Sequence, residues 1–121
     1  MKKLKFSRPI YIENSKVPVV LSYLAPIEIS AITLGPLVFS RGTIDERVKR
    51  HEAIHWQQWL DTCLIGFPVL YLLFWMRGYL IYKNGQSAYF MIPFEQEAYL
   101  HDDDEFYLIN RKRFAWWKYY T

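Results

Sequence analysis

The chain has 121 residues, of which 52% are hydrophobic, 19% aromatic and 22% charged, and its formal net charge is +3. This length predicts a single compact domain over residues 1–121, and the apolar fraction excludes an intrinsically disordered protein. The mild positive charge is accompanied by no nucleic-acid-binding motif, so we expect no nucleic-acid partner. The single cysteine excludes an intrachain disulfide and suits a cytoplasmic protein, with membrane association as the alternative.

The first forty residues predict short strands and turns. A short strand is expected around Ile10 to Ile12. Residues 17–39 are rich in β-branched side chains and are punctuated by prolines and a glycine, which favours strands and turns over a helix. Residues 27–34 alternate loosely between apolar and polar positions and predict one or two largely buried strands, and residues 37–39 extend the second.

A helix is expected from about Ile44 to about Asp61. Thr43 and Glu46 follow a glycine and form a T-x-x-E capping box, in which the threonine hydroxyl would cap the start of the helix. Acidic side chains in the first turn also suit the helix dipole. The middle of this helix then carries residues 51–55, with the sequence His-Glu-Ala-Ile-His.

This HExxH motif is the strongest functional signal in the sequence. Histidines four residues apart lie on one side of a helix, where both imidazoles can bind a single zinc ion. The intervening glutamate can serve as general base toward a zinc-activated water and afterwards as general acid. His51 and His55 are therefore candidate zinc ligands, Glu52 is the candidate catalytic residue, and Zn²⁺ is the expected cofactor.

Residues 62–76 carry no charged side chain, but Gly66 and Pro68 interrupt the run. We expect a break near Gly66 and a second helix from about Pro68 to Tyr82, with the proline in its first turn. The uninterrupted apolar length is short for a membrane span, which favours a buried core helix over a membrane-embedded or interfacial helix. Peripheral membrane contact through residues 59–82 is the alternative.

The rest of the chain predicts a turn and two more helical segments. Residues 83–86 have the composition of a turn, and Pro93 opens a helix that covers residues 94–100. The tail, residues 106–120, is expected to be helical. Together these elements predict an α+β fold, in which short N-terminal strands are followed by a helical bundle.

A third zinc ligand must come from another segment, because no further histidine follows His55 at a suitable spacing. The candidates are His101 and the acidic residues after position 90, and Glu95 and Glu97 are the best placed. These two glutamates point about 200° apart on a helix, so both cannot face one metal easily. The small Ala98 on the face of Glu95 would let two helices approach closely, which favours Glu95.

The two motifs together resemble the gluzincin metallopeptidases. The likeness is greatest to the minigluzincins and to small bacterial and phage proteins with HExxHxxQ and PFExEA segments, and Gln58 completes the first of these patterns. It covers roughly residues 30–100. The resemblance implies a minimal zincin-like domain in which a strand precedes the HExxH helix and Glu95 on a second helix is the third ligand. It also implies a zinc-dependent metallopeptidase that cleaves a peptide or protein substrate.

The sequence departs from the gluzincin pattern at Tyr99, where many members have an aspartate that orients a metal-binding histidine. A backbone carbonyl or another carboxylate must replace it, and the candidate carboxylates are Asp61, Glu97 and Asp102. Hydrogen-bond donors to the oxyanion of the reaction are sought among Tyr99, His101 and Tyr107.

Two further expectations concern the substrate and the alternative function. An edge strand within residues 28–33 could hold a substrate peptide by β-augmentation. The alternative to a peptidase is a non-catalytic zinc-binding or membrane-associated module, in which four protein ligands would close a structural site. The shortage of a fourth ligand favours an open, catalytic site.

Overall fold

The computed structural model describes residues 8–24 and 29–120, which form an α+β fold as the sequence predicts. Three short strands and one helix come first: β1 (Ile10–Ile12), α1 (Val17–Leu24), β2 (Ala31–Leu34) and β3 (Leu37–Ser40). The helices that follow are α2 (Glu46–Asp61), α3 (Gly66–Tyr82), α4 (Gly85–Phe90), α5 (Pro93–His101) and α6 (Tyr107–Asn110). A 3-10 helix, Ala115–Tyr119, ends the described chain.

The strands form one sheet in the order β1-β3-β2. β1 runs parallel to β3, and β2 runs antiparallel to β3 through a tight turn in which Gly35 has a φ of 64°. The predicted strands at residues 10–12 and 37–39 are confirmed. The strand predicted within residues 27–34 begins only at Ala31, and residues 27 and 28 lie outside the described part of the chain. β2 is therefore an edge strand of this sheet, and it lies against α2.

Helix α1 contradicts the expectation of strands and turns after residue 17. The Ser15 hydroxyl accepts a hydrogen bond from the Val17 amide at 3.1 Å, which caps the helix, and a proline occupies its first turn. The Ser22 hydroxyl then accepts from the Ile29 amide at 2.8 Å. These contacts and the packing of α1 against β3 outweigh the weak strand preference of the valines.

The HExxH helix ends at Asp61 as predicted, but its cap differs from the predicted one. α2 begins at Glu46, and the Asp45 carboxylate accepts a hydrogen bond from the Val48 amide at 2.9 Å. The capping box proposed for Thr43 is therefore wrong. Asp45, two residues closer to the helix than Thr43, makes the same kind of capping contact. Its negative charge is also favoured at a helix N-terminus.

Helix α3 is not the buried core helix that we expected. Its inner face packs Phe67 and Phe74 against Phe94 and Trp116, but only Phe67 and Gly78 of the helix are buried. The aliphatic side chains on its opposite face are exposed to solvent. The sequence correctly indicated an apolar helix. A chain of this size, however, has too few other residues to cover both faces of α3.

No single helix within the described ranges is long and apolar enough to cross a membrane. Helices α2 and α3 meet that criterion together by length and composition, but they are bent by 108° relative to each other. The bend lies at residues 62–65, where Cys63 and Leu64 both have a positive φ.

The segment between α3 and α5 is more helical than predicted. The turn expected over residues 83–86 is shorter, because Asn84 caps α4, which begins at Gly85. α4 packs tightly on α3: a Cβ at Gly78 would lie 3.0 Å from the Cα of Ala88. Only glycine permits this approach without a shift of the backbone, and the contact fixes the direction in which α4 presents its tyrosine, Tyr89.

The predicted helical tail is broken into α6 and the 3-10 helix. Between them, Arg111 turns inward, and its guanidinium contacts Asp61 at 2.7 Å and Glu97 at 2.5 Å. All three side chains are at most 4% exposed. The buried ion cluster ties α2, α5 and the tail together, and the chain cannot follow one straight helix while it makes these contacts.

We predict that Arg111→Ala lowers the free energy of unfolding by about 3–5 kcal/mol, because it leaves the buried Glu97 carboxylate without a cation and Asp61 with only the more distant Arg113, at 3.9 Å. Urea denaturation followed by circular dichroism measures the change. The neighbouring Lys112→Ala is the control, since Lys112 is exposed and its loss should cost less than about 0.5 kcal/mol. Equal stability of the two variants would show that the cluster does not hold the tail in place.

Candidate metal centre

The side chains of His51, His55 and Glu95 meet where α5 crosses α2. Glu95 Oε1 lies 3.2 Å from Nε2 of His51 and 3.1 Å from Nε2 of His55. One potential ligand atom from each residue lies within 4.8 Å of the other two. All three residues are buried. The arrangement offers two imidazole nitrogens and one carboxylate oxygen to a single point.

Small residues permit the close crossing of the two helices. Ala53 of α2 and Ala98 of α5 are buried in the same apolar cluster, so the helix backbones can approach each other closely. Glu95 then faces the histidines. Glu97 points the other way and accepts hydrogen bonds from the Arg111 guanidinium. The expected separation of the two glutamates is thus present, with Glu95 in the histidine cluster and Glu97 in the ion cluster.

The surroundings of Gln58 fix the tautomer of His55. The Gln58 amide nitrogen donates to the Phe94 carbonyl and to Glu97 Oε1, each at 2.9 Å, and both of these partners can only accept. The amide oxygen must therefore point to His55 Nδ1, 2.7 Å away. That nitrogen carries the proton and donates it, so Nε2 of a neutral His55 has a lone pair directed at Glu95.

His51 is oriented in the same way by Asp102. Its Nδ1 lies 3.0 Å from Asp102 Oδ2, and the carboxylate also accepts from Arg47 Nε at 2.8 Å. Burial alone would raise the pKa of Asp102, but the hydrogen bonds from His51 and Arg47 lower it below its usual value. Asp102, one of the three carboxylates considered from sequence, is thus the group that orients His51. Asp61 and Glu97 lie in the ion cluster instead.

When both imidazoles are neutral, Nε2 of His51, Nε2 of His55 and Oε1 of Glu95 are all acceptors and no donor lies among them. A cation or added protons must then lie between them. Burial would lower the pKa of His51, but hydrogen bonds to Asp102 and Glu95 raise it to about 10. Burial would also lower the pKa of His55, but the charge of Glu95 outweighs it and raises that pKa. Burial would raise the pKa of Glu95, but His55 and His51 hold it well below its usual range. The negative charges of Glu95 and Asp102 thus favour a positive charge between the three atoms, and either a metal cation or protons can supply it.

Tyr71 holds the second oxygen of Glu95, a contact that the sequence did not reveal. Its hydroxyl donates to Glu95 Oε2 at 2.6 Å. Burial and the charge of Glu95 raise the pKa of Tyr71 well above its usual value, so the group remains a donor. Tyr71 belongs to the inner face of α3 and gave no signal beyond its apolar surroundings. Its contact leaves Oε1 of Glu95 as the oxygen directed at the histidines.

Glu52, the third polar residue of the motif, is oriented by the edge strand. The Thr33 hydroxyl of β2 donates to Glu52 Oε1 at 2.8 Å and lies 3.1 Å from the Glu52 carbonyl oxygen. Both residues are buried, at 5% and 6% exposure. Thr33 thus connects the sheet to α2 and fixes one of the two carboxylate oxygens of Glu52.

A cleft of about 740 Å³ opens beside these residues. Residues 29–34 line it, and Trp59, Phe67, Tyr71 and Trp75 make much of the rest of its lining apolar. Glu52, His51, His55 and Glu95 all line it. The arrangement places a carboxylate, a potential cation site and a strand edge around one space large enough for several residues of a peptide.

Only one of the three tyrosine and histidine donors expected from sequence lines the cleft. Tyr99 does so, packs edge-on against His51 and shares a hydrogen bond of 3.0 Å with Tyr89, which also lines the cleft. Tyr107 donates to Glu97 instead, and His101 stacks on Tyr107 at 4.0 Å. Tyr89 was missed because its place depends on the unpredicted helix α4.

No protein-family model matches this chain, and no curated protein or solved structure matches it either. The resemblance to gluzincins therefore rests on the two sequence motifs, and the chemistry of the site must be judged from its own geometry.

We predict that Gln58→Met destabilises the fold by about 1–3 kcal/mol, because it leaves buried polar groups of His55, Phe94 and Glu97 without their partner. Chemical denaturation in the presence of a chelator separates this effect from any loss of bound metal. Gln86→Met is the matched control, because Gln86 is exposed and its substitution should change stability by less than about 0.5 kcal/mol. If both variants unfold alike, the buried hydrogen bonds of Gln58 do not stabilise the fold.

Proposed function

We propose that this protein is a zinc-dependent hydrolase, and specifically a small metallopeptidase. The observation that carries the proposal is the convergence of His51, His55 and Glu95 beside Glu52 at the wall of a cleft. Two imidazoles and one carboxylate are a ligand set used by catalytic zinc sites. Both Nδ1 atoms are engaged by oxygen acceptors, which is the second layer of contacts that such sites require.

The number of ligands supports a catalytic rather than a structural site. Among the described residues, one group of histidine, cysteine and acidic side chains is close enough together to hold a metal, and it has three members. A structural zinc site is normally closed by four protein ligands, whereas a catalytic site keeps one position for water or substrate. Cys63 is exposed and does not belong to this group.

Glu52 is the proposed general base and acid. Bound by His51, His55 and Glu95, Zn²⁺ would supply Lewis acidity that lowers the pKa of a water molecule and polarises the scissile carbonyl. Glu52 accepts the proton from the attacking water and then delivers it to the departing amine. The Thr33 hydroxyl holds one oxygen of the carboxylate, so the other is left to handle the proton.

The rest of the cleft supports peptide binding. β2 is an edge strand, and residues 29–34 line the cleft, so an extended peptide could pair with its backbone beside Glu52. Tyr89 and Tyr99 line the cleft, and we propose their hydroxyls as donors to the oxyanion that develops as the carbonyl is attacked. The pKa of each tyrosine is raised, chiefly by burial, so both hydroxyls keep their protons near neutral pH.

We predict that the purified protein binds one zinc ion per chain, and that His51→Ala, His55→Ala and Glu95→Gln each abolish or greatly weaken binding. Each substitution removes one of three ligand atoms, and two ligands hold zinc poorly. Elemental analysis after dialysis against a zinc buffer measures the stoichiometry.

The matched control is Glu97→Gln, which changes the neighbouring glutamate that faces away from the histidines. This variant should retain zinc, although it should be less stable. Zinc retained by Glu95→Gln and lost by Glu97→Gln would show that the ligand assignment is reversed. Circular dichroism of each variant establishes that it is folded.

We predict that Glu52→Gln retains zinc but loses at least about a hundredfold in peptide hydrolysis, since the amide cannot accept the proton from water. A library of internally quenched peptides of varied sequence measures turnover, whichever peptide bond the protein prefers. Glu46→Gln on the same helix is the control, because its side chain is 78% exposed, and it should retain both zinc and activity. Undiminished hydrolysis by the Glu52 variant would refute the assigned role.

A further inference from the structure

The outer face of α3 is a continuous aliphatic stripe. Its members are spaced three and four residues apart, so they lie on one side of the helix. They are each between 47% and 77% exposed: Ile65, which immediately precedes the helix, and Val69, Leu72, Leu73, Met76 and Leu80. α3 has 17 residues and is about 25 Å long, and the stripe follows most of this length. So large an apolar surface on a small protein indicates a partner that covers it.

The helix that carries this stripe and the tail beside it have basic charges only. The sequence contains no aspartate or glutamate from residue 62 to residue 94, or from residue 106 to residue 121. These two segments pack against each other, since Phe74 of α3 contacts both Trp116 and Tyr120 of the tail. The basic residues that they expose are Arg77, Lys83, Lys112, Arg113 and Lys118. The apolar stripe thus lies on a helix, and beside a tail, whose charged side chains are all basic.

Aromatic side chains lie at the border of the stripe. The Arg77 guanidinium lies 5.0 Å from the centre of the Tyr120 ring, which stacks on the exposed Trp117 at 5.4 Å. Tyr79 and Tyr82 are exposed in the last turns of the same helix. Tryptophan and tyrosine beside lysine and arginine are the side chains that favour the boundary between lipid headgroups and acyl chains.

We propose that this surface, the stripe of α3 with the basic and aromatic tail beside it, docks on an anionic lipid membrane, with α3 parallel to the membrane plane. The aliphatic stripe enters the headgroup and acyl boundary, and the lysines and arginines contact anionic headgroups. A second copy of the chain fits this surface less well, because a two-fold interface would bring basic residues against basic residues.

Docking would also bring the cleft to the membrane. Leu72 belongs to the stripe and at the same time lines the cleft beside the histidines. If the proposed function holds, the substrate is then a peptide segment presented at a membrane surface. The docking itself depends only on the surface and can be tested without any assay of hydrolysis.

The experiment is cosedimentation of the full chain with vesicles of phosphatidylcholine and phosphatidylglycerol in equal amounts, beside vesicles of phosphatidylcholine alone. We expect binding to the anionic vesicles to be at least about tenfold tighter, and to weaken as salt is added. Absence of binding to the anionic vesicles, or equal binding to both, would overturn the proposal.

Two variants test the surface, and each should bind anionic vesicles at least about tenfold more weakly than the unaltered chain. One combines Leu73→Ser, Met76→Ser and Leu80→Ser, and the other combines Lys83→Glu and Lys118→Glu. The control combines Ile10→Ser, Leu100→Ser and Phe106→Ser, which removes three comparably exposed apolar side chains elsewhere. Equal binding by the stripe variant and the control would refute the proposal. So would a dimer that the stripe variant dissociates, without any binding to vesicles.

Discussion

The rest of the structure depends on one buried amide, the side chain of Gln58. It is fully buried, and it hydrogen-bonds at the same time to His55, to the α5 backbone and to Glu97. Such a group is tolerated inside a protein only if each of its polar atoms has a partner. Because those partners lie on different helices, the amide fixes the α2–α5 crossing and the imidazole in one arrangement, and it couples the stability of the fold to the geometry of the site.

The chain of contacts continues from Gln58 to the tail. Glu97 accepts from Gln58 and also from Arg111, whose guanidinium reaches Asp61 at the end of α2. The buried charges would be unfavourable singly, and the cluster persists because every carboxylate faces a cation or another donor. A chain of this size has little apolar core to spare, so these polar contacts supply cohesion that packing supplies in larger domains.

Sequence patterns predicted the parts of the site that lie close together along the chain. Helical spacing places His51 beside His55 and separates Glu95 from Glu97, and both relations are present in the structure. The supporting contacts of Tyr71 and Thr33 were missed, since they join α3 and β2 to the site across gaps that no local pattern encodes. The same limit explains α3: its composition identified an apolar helix, but exposure depends on which neighbours are left to cover it.

The two faces of α3 show how a small chain divides its apolar residues. The inner face supplies aromatic rings to the core, places Phe67 beside His55 and directs the Tyr71 hydroxyl to Glu95. The helices that pack on α3 contact this face, and no element of the described ranges covers the outer aliphatic residues. A face with no partner would ordinarily carry charged side chains in their place, at little cost to the fold. Their retention on a helix that carries no acidic residue, beside a tail that carries none, therefore calls for an explanation outside the fold itself, and an anionic lipid surface provides one.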